Sequence, residues 1–448
     1  MILTFIAFIS PSNAKQTKPI SEIFKINHFW DQIYEWRSKT QELQATQLPL
    51  PASASWPMVL AGILCFIASS ISSAGGIGGG GLFIPILTIV AGLDLKTASA
   101  LSSFMVTGGS TANVMCNLCT KSPKFGGKSL IDYDIALSSE PCMLLGVSIG
   151  VICNLVFPEW LITILFAIFL AWSTSKTCNS GFLFWKTESE EKRRNGFGET
   201  ENGCCGESIE ESLMGHQQVC KLRIPWLKLG VLLLVWLSFF AVYLLRGNKY
   251  GQSMIPMEPC GVGYWILSSV QIPLAVVFTA WIVLREENLQ HQALTLEGQD
   301  LCRDEPSKKL IFPLMALLAG ILGGVFGIGG GMLISPLLLQ VGIAPEVTAA
   351  TCSFMVFFSS TMSALQYLLL GMEQIQTALI LAAVSFVASL VGLLVVQRAV
   401  QKYKRASLIV FSVSIVMALS TVLMTSFGAI EVWRDYKSGK YMGFKLPC

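Results

Sequence analysis

The sequence GIGGGGLFIP at Gly76–Pro85 recurs later in the chain as GIGGGMLISP at Gly327–Pro336. Seven of the ten positions are identical, and the two copies lie 251 residues apart. A second shared sequence, SFMV, follows each copy at Ser103–Val106 and at Ser353–Val356, and a Ser-Thr pair comes shortly after it in both halves. The chain is therefore internally duplicated.

Both glycine-rich sequences interrupt long apolar segments. Glycine adopts backbone conformations that other residues avoid, so each cluster predicts a break in a helix. Within a membrane, the N–H and C=O groups of a broken helix must face protein or a water-filled cavity, because lipid cannot bond to them. Paired breaks in two matching halves are typical of the substrate site of a secondary transporter.

The composition indicates a membrane protein. Apolar residues make up 53% of the chain and charged residues 13%, which is about half the charged share of a soluble domain. The net charge of +3 and the lack of a long basic cluster argue against a nucleic acid partner. The 13 cysteines are scattered, many of them in apolar segments, and predict no disulfide framework. The sequence contains no evident catalytic pair, metal cluster or cofactor motif, so we expect neither an enzyme nor a cofactor.

Apolar windows of about 19 residues predict ten membrane-spanning helices. The windows are 57–74, 97–119, 135–157, 159–185, 226–246, 263–284, 310–326, 347–370, 375–397 and 406–430. A shorter apolar piece follows each glycine-rich sequence, at 82–92 and at 332–342. Because these pieces are too short to cross fully, we expect a half-helix or a steeply inserted short span at each position.

The predicted segments divide the chain into two transmembrane repeats and their connections. In chain order they are a signal-like segment and polar extension at 1–55, repeat 1 at 56–185, a hydrophilic cytoplasmic loop at 186–225, two linking helices at 226–284, a hydrophilic loop at 285–309, repeat 2 at 310–430 and a polar tail at 431–448. Residues 1–14 form either a cleavable signal or an interfacial segment, because their apolar run is short and lacks preceding basic residues.

Basic residues in the connecting loops predict that the two repeats are inserted in opposite directions. In repeat 1 the loop after span 97–119 carries three lysines, and the loop after span 135–157 carries no basic residue. In repeat 2 the order is reversed, and the later loop, 398–405, is the basic one. Because basic loops face the cytoplasm, we expect an all-α polytopic membrane protein built from two inverted repeats, each with a glycine-broken re-entrant or hairpin segment.

The candidate substrate site is neutral and rich in hydrogen-bond donors. Ionisable residues within the spans are few, with Glu140 the main one, so a metal site or a proton relay is not expected. Exposed N–H groups at a glycine turn and the positive ends of the following half-helices stabilise an anion without fixed cations, and hydroxyl groups add donors. The predicted substrate-binding residues are Gly76, Gly78, Gly79, Gly80, Gly81, Ser103, Ser110, Thr111, Gly327, Gly329, Gly330, Gly331, Ser353, Ser360 and Thr361. Each hydroxyl has the alternative role of packing helices together.

The twin glycine sequences ending in proline, each followed by SFMV and a Ser-Thr pair, resemble the TauE/SafE family of sulfite exporters, also called the 4-toluene sulfonate uptake permease family. The resemblance covers about 57–185 and 310–430, and the long extension and charged loop resemble its plant-type branch. It implies secondary transport of a sulfur-containing oxyanion or organosulfonate.

The expected partners are a small anionic solute and membrane lipid. We expect a multi-pass protein of the secretory pathway or plasma membrane. Two alternatives stay open: a transporter or channel for another small anion, such as a carboxylate, and a non-transporting scaffold whose loop 186–225 recruits cytoplasmic partners.

Overall fold

The computed structural model describes the central, largely apolar part of the chain. The described ranges are 56–73, 75–76, 79–119, 129–198, 226–246, 262–297, 306–372, 374–403, 407–437 and 443–444. The predicted N-terminal segment, residues 199–225 of the predicted cytoplasmic loop and the candidate site residue Gly78 lie outside these ranges. Within them every regular element is an α-helix, as predicted for an all-α protein.

The described residues form twelve helices. They are α1 (Trp56–Ser73), α2 (Gly80–Ile89), α3 (Leu95–Cys119), α4 (Tyr133–Val156), α5 (Glu159–Gly198), α6 (Trp226–Arg246), α7 (Val262–Glu297), α8 (Pro306–Phe326), α9 (Gly331–Gln340), α10 (Pro345–Leu369), α11 (Ile375–Tyr403) and α12 (Ser407–Lys437).

Several helices continue beyond the predicted spans. Helix α5 extends to Gly198, helix α7 to Glu297 and helix α12 to Lys437, into segments predicted as polar loops or tail. Hydropathy windows detect only the apolar part of a helix. The additional helical segments are rich in Glu, Lys and Arg. These residues are good helix formers in water, so the helices continue after their apolar part has ended.

Eight of the described helices are long and apolar enough to cross a membrane. They are α1, α4, α5, α6, α7, α10, α11 and α12. Helix α3 is not among them although it has 25 residues, because serine, threonine, glycine and asparagine lower its hydropathy. The apolar part of α8 is short, at Ile311–Phe326, and helices α2 and α9 have only 10 residues each. The chain is an integral, multi-pass membrane protein.

Burial separates an inner set of helices from an outer set. In the most apolar windows of α4 and α10, 78% and 72% of the residues are buried, compared with 22% in those of α6 and α7. The exposed side chains of α6 and α7 are largely apolar, such as Leu234 and Val277. An apolar exposed face of this kind suits contact with lipid tails. The polar helix α3 is largely buried in the interior.

Helices α1–α5 and α8–α12 form two matching series. In each series a long helix precedes a 10-residue helix, and a 25-residue helix follows it. The contacts between the series are reciprocal: α1 packs on α11 as α8 packs on α4, and α3 packs on α11 as α10 packs on α4. Two contacts join counterparts directly, α3 with α10 and α5 with α12.

Counterpart helices of the two series run antiparallel. On α3 and α10, Ser103 bonds to Ser363, whereas Asn113, further along α3, bonds to the earlier residue Ser353. Helices α5 and α12 show the same order, since Thr174 bonds to Thr421 and the later residue Glu188 bonds to the earlier residue Ser407. Opposite directions of counterpart helices are what an inverted repeat requires.

Glycine residues bring α4 and α8 into direct backbone contact. A β-carbon at Gly320 would collide with the carbonyl oxygen of Met143, and one at Gly150 would collide with the carbonyl oxygen of Ile321. Small residues let membrane helices approach closely and pack by dispersion forces. The α4–α8 pair is therefore a tightly fixed unit, and it supports the second glycine-rich turn.

We predict that Gly320→Ala destabilises the protein, because the added methyl group must separate α4 from α8. The expected loss is about 1–3 kcal/mol, as for other overpacked sites, measured as a lower melting temperature in detergent. Gly230→Ala in α6 is the matched control, because a β-carbon there meets nothing within 4 Å. Equal melting temperatures for the two variants would contradict the close α4–α8 contact.

Candidate functional site

A left-handed glycine precedes each 10-residue helix. Gly79 has φ 82° and caps α2, and Gly330 has φ 73° and caps α9. Gly76 and Gly327 also have positive φ, at 72° and 66°. Side chains disfavour this region of backbone space, so glycine is required for each turn. The two predicted helix breaks therefore occur at the predicted residues.

The first turn of α2 lies against the second glycine turn and against Met332 at the start of α9. A β-carbon at Gly80 would lie 2.7 Å from the Cα of Ile328, and one at Gly81 would collide with the side chain of Met332. The N-termini of both half-helices consequently converge on one place between the repeats. Each N-terminus carries a partial positive charge and N–H groups without an acceptor inside the helix.

Each glycine turn also docks on the long helix of the other repeat. A β-carbon at Gly76 would collide with the carbonyl oxygen of Ala349 on α10, and one at Gly327 would collide with that of Ser99 on α3. The two contacts are equivalent under the duplication, because Ser99 and Ala349 occupy matching positions of α3 and α10. Glycine is needed here for close approach as well as for the left-handed turn.

Hydroxyl groups donate to the carbonyl oxygens of the turns. Ser102 Oγ donates to the Gly327 carbonyl oxygen at 2.8 Å, and Ser359 Oγ donates to that of Gly329 at 2.9 Å. Ser420 on α12 donates to the carbonyl oxygen of Gly81. These three carbonyl oxygens therefore already have hydrogen-bond partners.

The predicted serines gather where α3 crosses α10. Ser103, Ser110, Ser353 and Ser360 are all buried. The Oγ atoms of Ser110 and Ser360 lie 3.5 Å apart, and Ser103 Oγ lies 3.0 Å from Ser363 Oγ. Two of the four also border the second turn, since a β-carbon at Gly327 would touch Ser103 and one at Gly329 would touch Ser360.

The predicted threonines bond within their own helices. Thr111 Oγ1 donates to the carbonyl oxygen of Thr107, and Thr361 Oγ1 donates to that of Phe357, each at 2.6 Å. Both side chains are half-buried. Because a hydroxyl has one proton, each threonine must release its helix carbonyl before it donates to a ligand.

Two valines of the repeated SFMV sequence lie at the centre of the site. A β-carbon at Gly329 would lie 2.9 Å from Val356 and 3.0 Å from Val106. The repetition of SFMV was the available signal for these side chains, although only its serines were predicted to bind substrate. Ser420 had no signal, because its partner Gly81 is 339 residues away and no motif surrounds it.

A small cleft adjoins the first glycine turn. Its lining combines Gly75 with the hydroxyl residues Thr177, Ser335 and Thr348 and with apolar residues such as Val413. Helices α5, α9, α10 and α12 supply these walls. The cleft is a largely apolar recess with three hydroxyl side chains in its walls.

Comparisons with known proteins agree with the resemblance seen in the sequence. The profile of the family described as sulfite exporter TauE/SafE matches residues 4–177 and 222–421. Sulfite exporter TauE/SafE family protein 2 of Arabidopsis thaliana is 59% identical over 458 residues, covering 100% of this chain and 98% of the relative.

Two further Arabidopsis thaliana relatives show the range of similarity. Sulfite exporter TauE/SafE family protein 5 is 60% identical over 424 residues, covering 93% of this chain and 92% of the relative. Family protein 3 is 32% identical over 408 residues, with coverages of 88% and 83%. No solved structure matches the chain significantly. Both the family profile and these full-length similarities show that the chain belongs to the TauE/SafE sulfite exporter family of membrane transporters and is a plant-type member of it.

Proposed function

We propose that this protein is a secondary transporter that moves a small sulfur-containing anion, sulfite or an organosulfonate, across a membrane. The observation that supports it most directly is the convergence of the α2 and α9 N-termini at a buried place between the repeats. The family's name gives the substrate class, and the site has the chemistry to receive such an anion.

Two helix N-termini supply the charge that the anion needs. Each one is equivalent to about half a positive elementary charge, and the effect is stronger where water is excluded. Hydroxyls of Ser102, Ser359 and Ser420 occupy the carbonyl oxygens of the turns. The N–H groups of Leu82 and Leu333 already bond to the carbonyl oxygens of Gly79 and Gly330, so the proposed donors to an oxyanion are the N–H groups of the first two residues of α2 and of α9.

We further propose that the structure represents a closed state of the site. The first turns touch each other and the valines Val106 and Val356 lie at their junction, so an anion enters only when the turns separate. The cleft beside Gly75 provides a recess on one side of this junction. Alternating access would open the site to one side of the membrane at a time.

We propose that the repeats are inserted in opposite directions, and two independent observations support this. The counterpart helices α3 and α10 run antiparallel, as do α5 and α12. Basic residues are concentrated in non-equivalent loops of the two repeats. We propose that the N-termini of α2 and α9 meet near the bilayer midplane and that the protein resides in the secretory pathway or plasma membrane.

Transport is tested by flux of labelled sulfite, sulfate, methanesulfonate and a small carboxylate into proteoliposomes that contain the purified protein. We expect sulfite or the sulfonate to enter fastest, and Gly79→Ala to reduce this flux at least tenfold. The added β-carbon would meet Phe83 and Ser72 within 3 Å and would distort the cap of α2.

Gly342→Ala is the matched control for this flux measurement. Gly342 also has positive φ, at 92°, but a β-carbon there meets nothing within 4 Å. This residue follows the C-terminal end of α9, far from the glycine cap. It carries similar backbone strain away from the site and should transport normally. A carboxylate flux greater than the sulfite and sulfonate fluxes would contradict the proposed substrate class and favour a carboxylate transporter. Absence of any anion flux in the wild type would favour a scaffold.

Topology is tested by single cysteines in a background without accessible native cysteines. Cysteines at positions 124 and 401 should react with an impermeant maleimide from the cytoplasmic side, because both lie in segments rich in basic residues. Cysteines at positions 159 and 373 should react only from the opposite side. Labelling of positions 124 and 401 from different sides would refute inverted insertion.

A further inference from the structure

Glu140 is a buried carboxylate without a partner. The side chain belongs to α4 and is only 1% exposed, and neither of its carboxylate oxygens has a hydrogen-bond partner among the described residues. The other acidic residues at the start of α4 are satisfied: Asp132 caps the helix, and Asp134 pairs with Lys228. Burial of an ionised carboxylate without donors is strongly unfavourable, which favours the protonated form of Glu140.

Helices α6 and α7 bring no titratable group to the level of Glu140. The Asp134–Lys228 pair sets the register of α6, and residues 229–240 of that helix are not titratable. Cys142 lies 3.3 Å from Thr279 on α7, where residues 272–284 are likewise free of titratable groups. The next charged residue of α7, Arg285, stacks over Trp281.

Helices α8 and α10 are equally neutral at this level. Gly320 of α8 contacts Met143, and residues 310–326 of α8 include no titratable side chain. On α10, the ring of Phe354 packs edge to face against Tyr133, and Gln366 bonds to Ser148. The residues between these two contacts are also not titratable. The titratable neighbour of Glu140 on its own helix is Cys142, whose thiol bonds to Thr279.

The duplication shows that the shared fold needs no acid at this position. A β-carbon at Gly150 would collide with the carbonyl oxygen of Ile321 on α8, and one at Gly392 would collide with that of Ser70 on α1. Ser70 and Ile321 are 251 residues apart, which is the spacing of the two glycine-rich sequences. Gly150 and Gly392 are therefore equivalent, and the equivalent of Glu140 in α11 is Ala382. A structural requirement common to both repeats would place similar residues at both positions.

Glu140 is one helical turn from a contact with the second glycine turn. A β-carbon at Gly330 would lie 2.9 Å from the terminal methyl group of Met143 and 2.9 Å from the carbonyl oxygen of Ala319 on α8. Residues three apart are neighbours on one face of a helix, so Glu140 and Met143 share a face of α4. A change in hydration or charge at Glu140 can therefore affect the cap of α9 through the contact of Met143 with Gly330.

We propose that Glu140 is the proton-binding site that couples proton movement to anion transport at the glycine turns. One proton from the aqueous side adds to the Glu140 carboxylate. The site then closes with the carboxylic acid and the anion both inside. When the site reopens, the proton dissociates to the opposite side. The proton and the anion move in the same direction. This inference rests on the proposed transport function.

The coupling is tested in proteoliposomes with labelled methanesulfonate, whose charge is constant between about pH 5 and pH 8 because it is a strong acid. For each protein the measured quantity is the ratio of uptake with an inward proton gradient to uptake at equal pH. We expect a ratio well above one for the wild type and for Asp134→Asn, which alters an exposed acid of the same helix, and a ratio near one for Glu140→Gln. A Glu140→Gln ratio equal to that of the wild type would overturn the proposal.

A second measurement detects the bound proton without transport. The unfolded chain ionises a glutamate above about pH 4.3, whereas the folded protein keeps Glu140 protonated, so folding stability must fall as pH rises. The wild-type melting temperature in detergent should therefore fall relative to that of Glu140→Gln between about pH 5 and pH 8. Parallel curves would refute the protonated Glu140. Diverging curves without wild-type anion flux would keep the proton site and refute both the transport function and the coupling.

Discussion

The constraint on which the structure depends is that an interrupted helix in an apolar medium must satisfy its backbone groups within the protein. Each interruption here is completed by the opposite repeat. Gly76 packs on the backbone of α10, Gly327 packs on that of α3, and Ser102 of α3 donates to the Gly327 carbonyl oxygen. The second turn also accepts a hydrogen bond within its own repeat, from Ser359 of α10 to the Gly329 carbonyl oxygen, so the turns depend on contacts from both halves. Glycine is selected at these positions by two demands at once, a left-handed backbone and a close approach of two main chains.

The same arrangement supports the proposed function. Turning the chain at Gly79 and Gly330 directs the N-termini of two half-helices to one buried place. Helix N-termini attract an anion without a lysine or arginine, which would be costly to bury. The tight α4–α8 pair supports one turn through Met143, and the same face of α4 carries Glu140. The proposed anion site and the proposed proton site are therefore linked by a few contiguous packing contacts.

Local chemistry explains which features were predictable from the sequence. Clustered glycines specified the breaks, and the predicted short pieces 82–92 and 332–342 correspond to helices Gly80–Ile89 and Gly331–Gln340. The repeated motifs also identified the family, which the comparisons confirm. The predicted span 97–119 corresponds to helix α3, Leu95–Cys119, although α3 is not among the eight most apolar helices, because a buried helix that packs on other helices tolerates hydroxyl and amide side chains. Long-range contacts, such as that of Ser420 with Gly81, leave no local pattern in the sequence. The packing of α1 on α11 was likewise seen only in the folded structure.

Anion binding between the two half-helix N-termini is tested most directly by a crystal structure with selenite, the selenium analogue of sulfite, located by its anomalous scattering. The selenium peak should lie between the first turns of α2 and α9, with selenite oxygens within hydrogen-bonding distance of the backbone nitrogens near Gly80 and Gly331. The two turns should be further apart than in the closed structure, in which a β-carbon at Gly80 would lie 2.7 Å from Ile328. A selenium peak elsewhere in the protein, with these turns still in contact, would contradict the site.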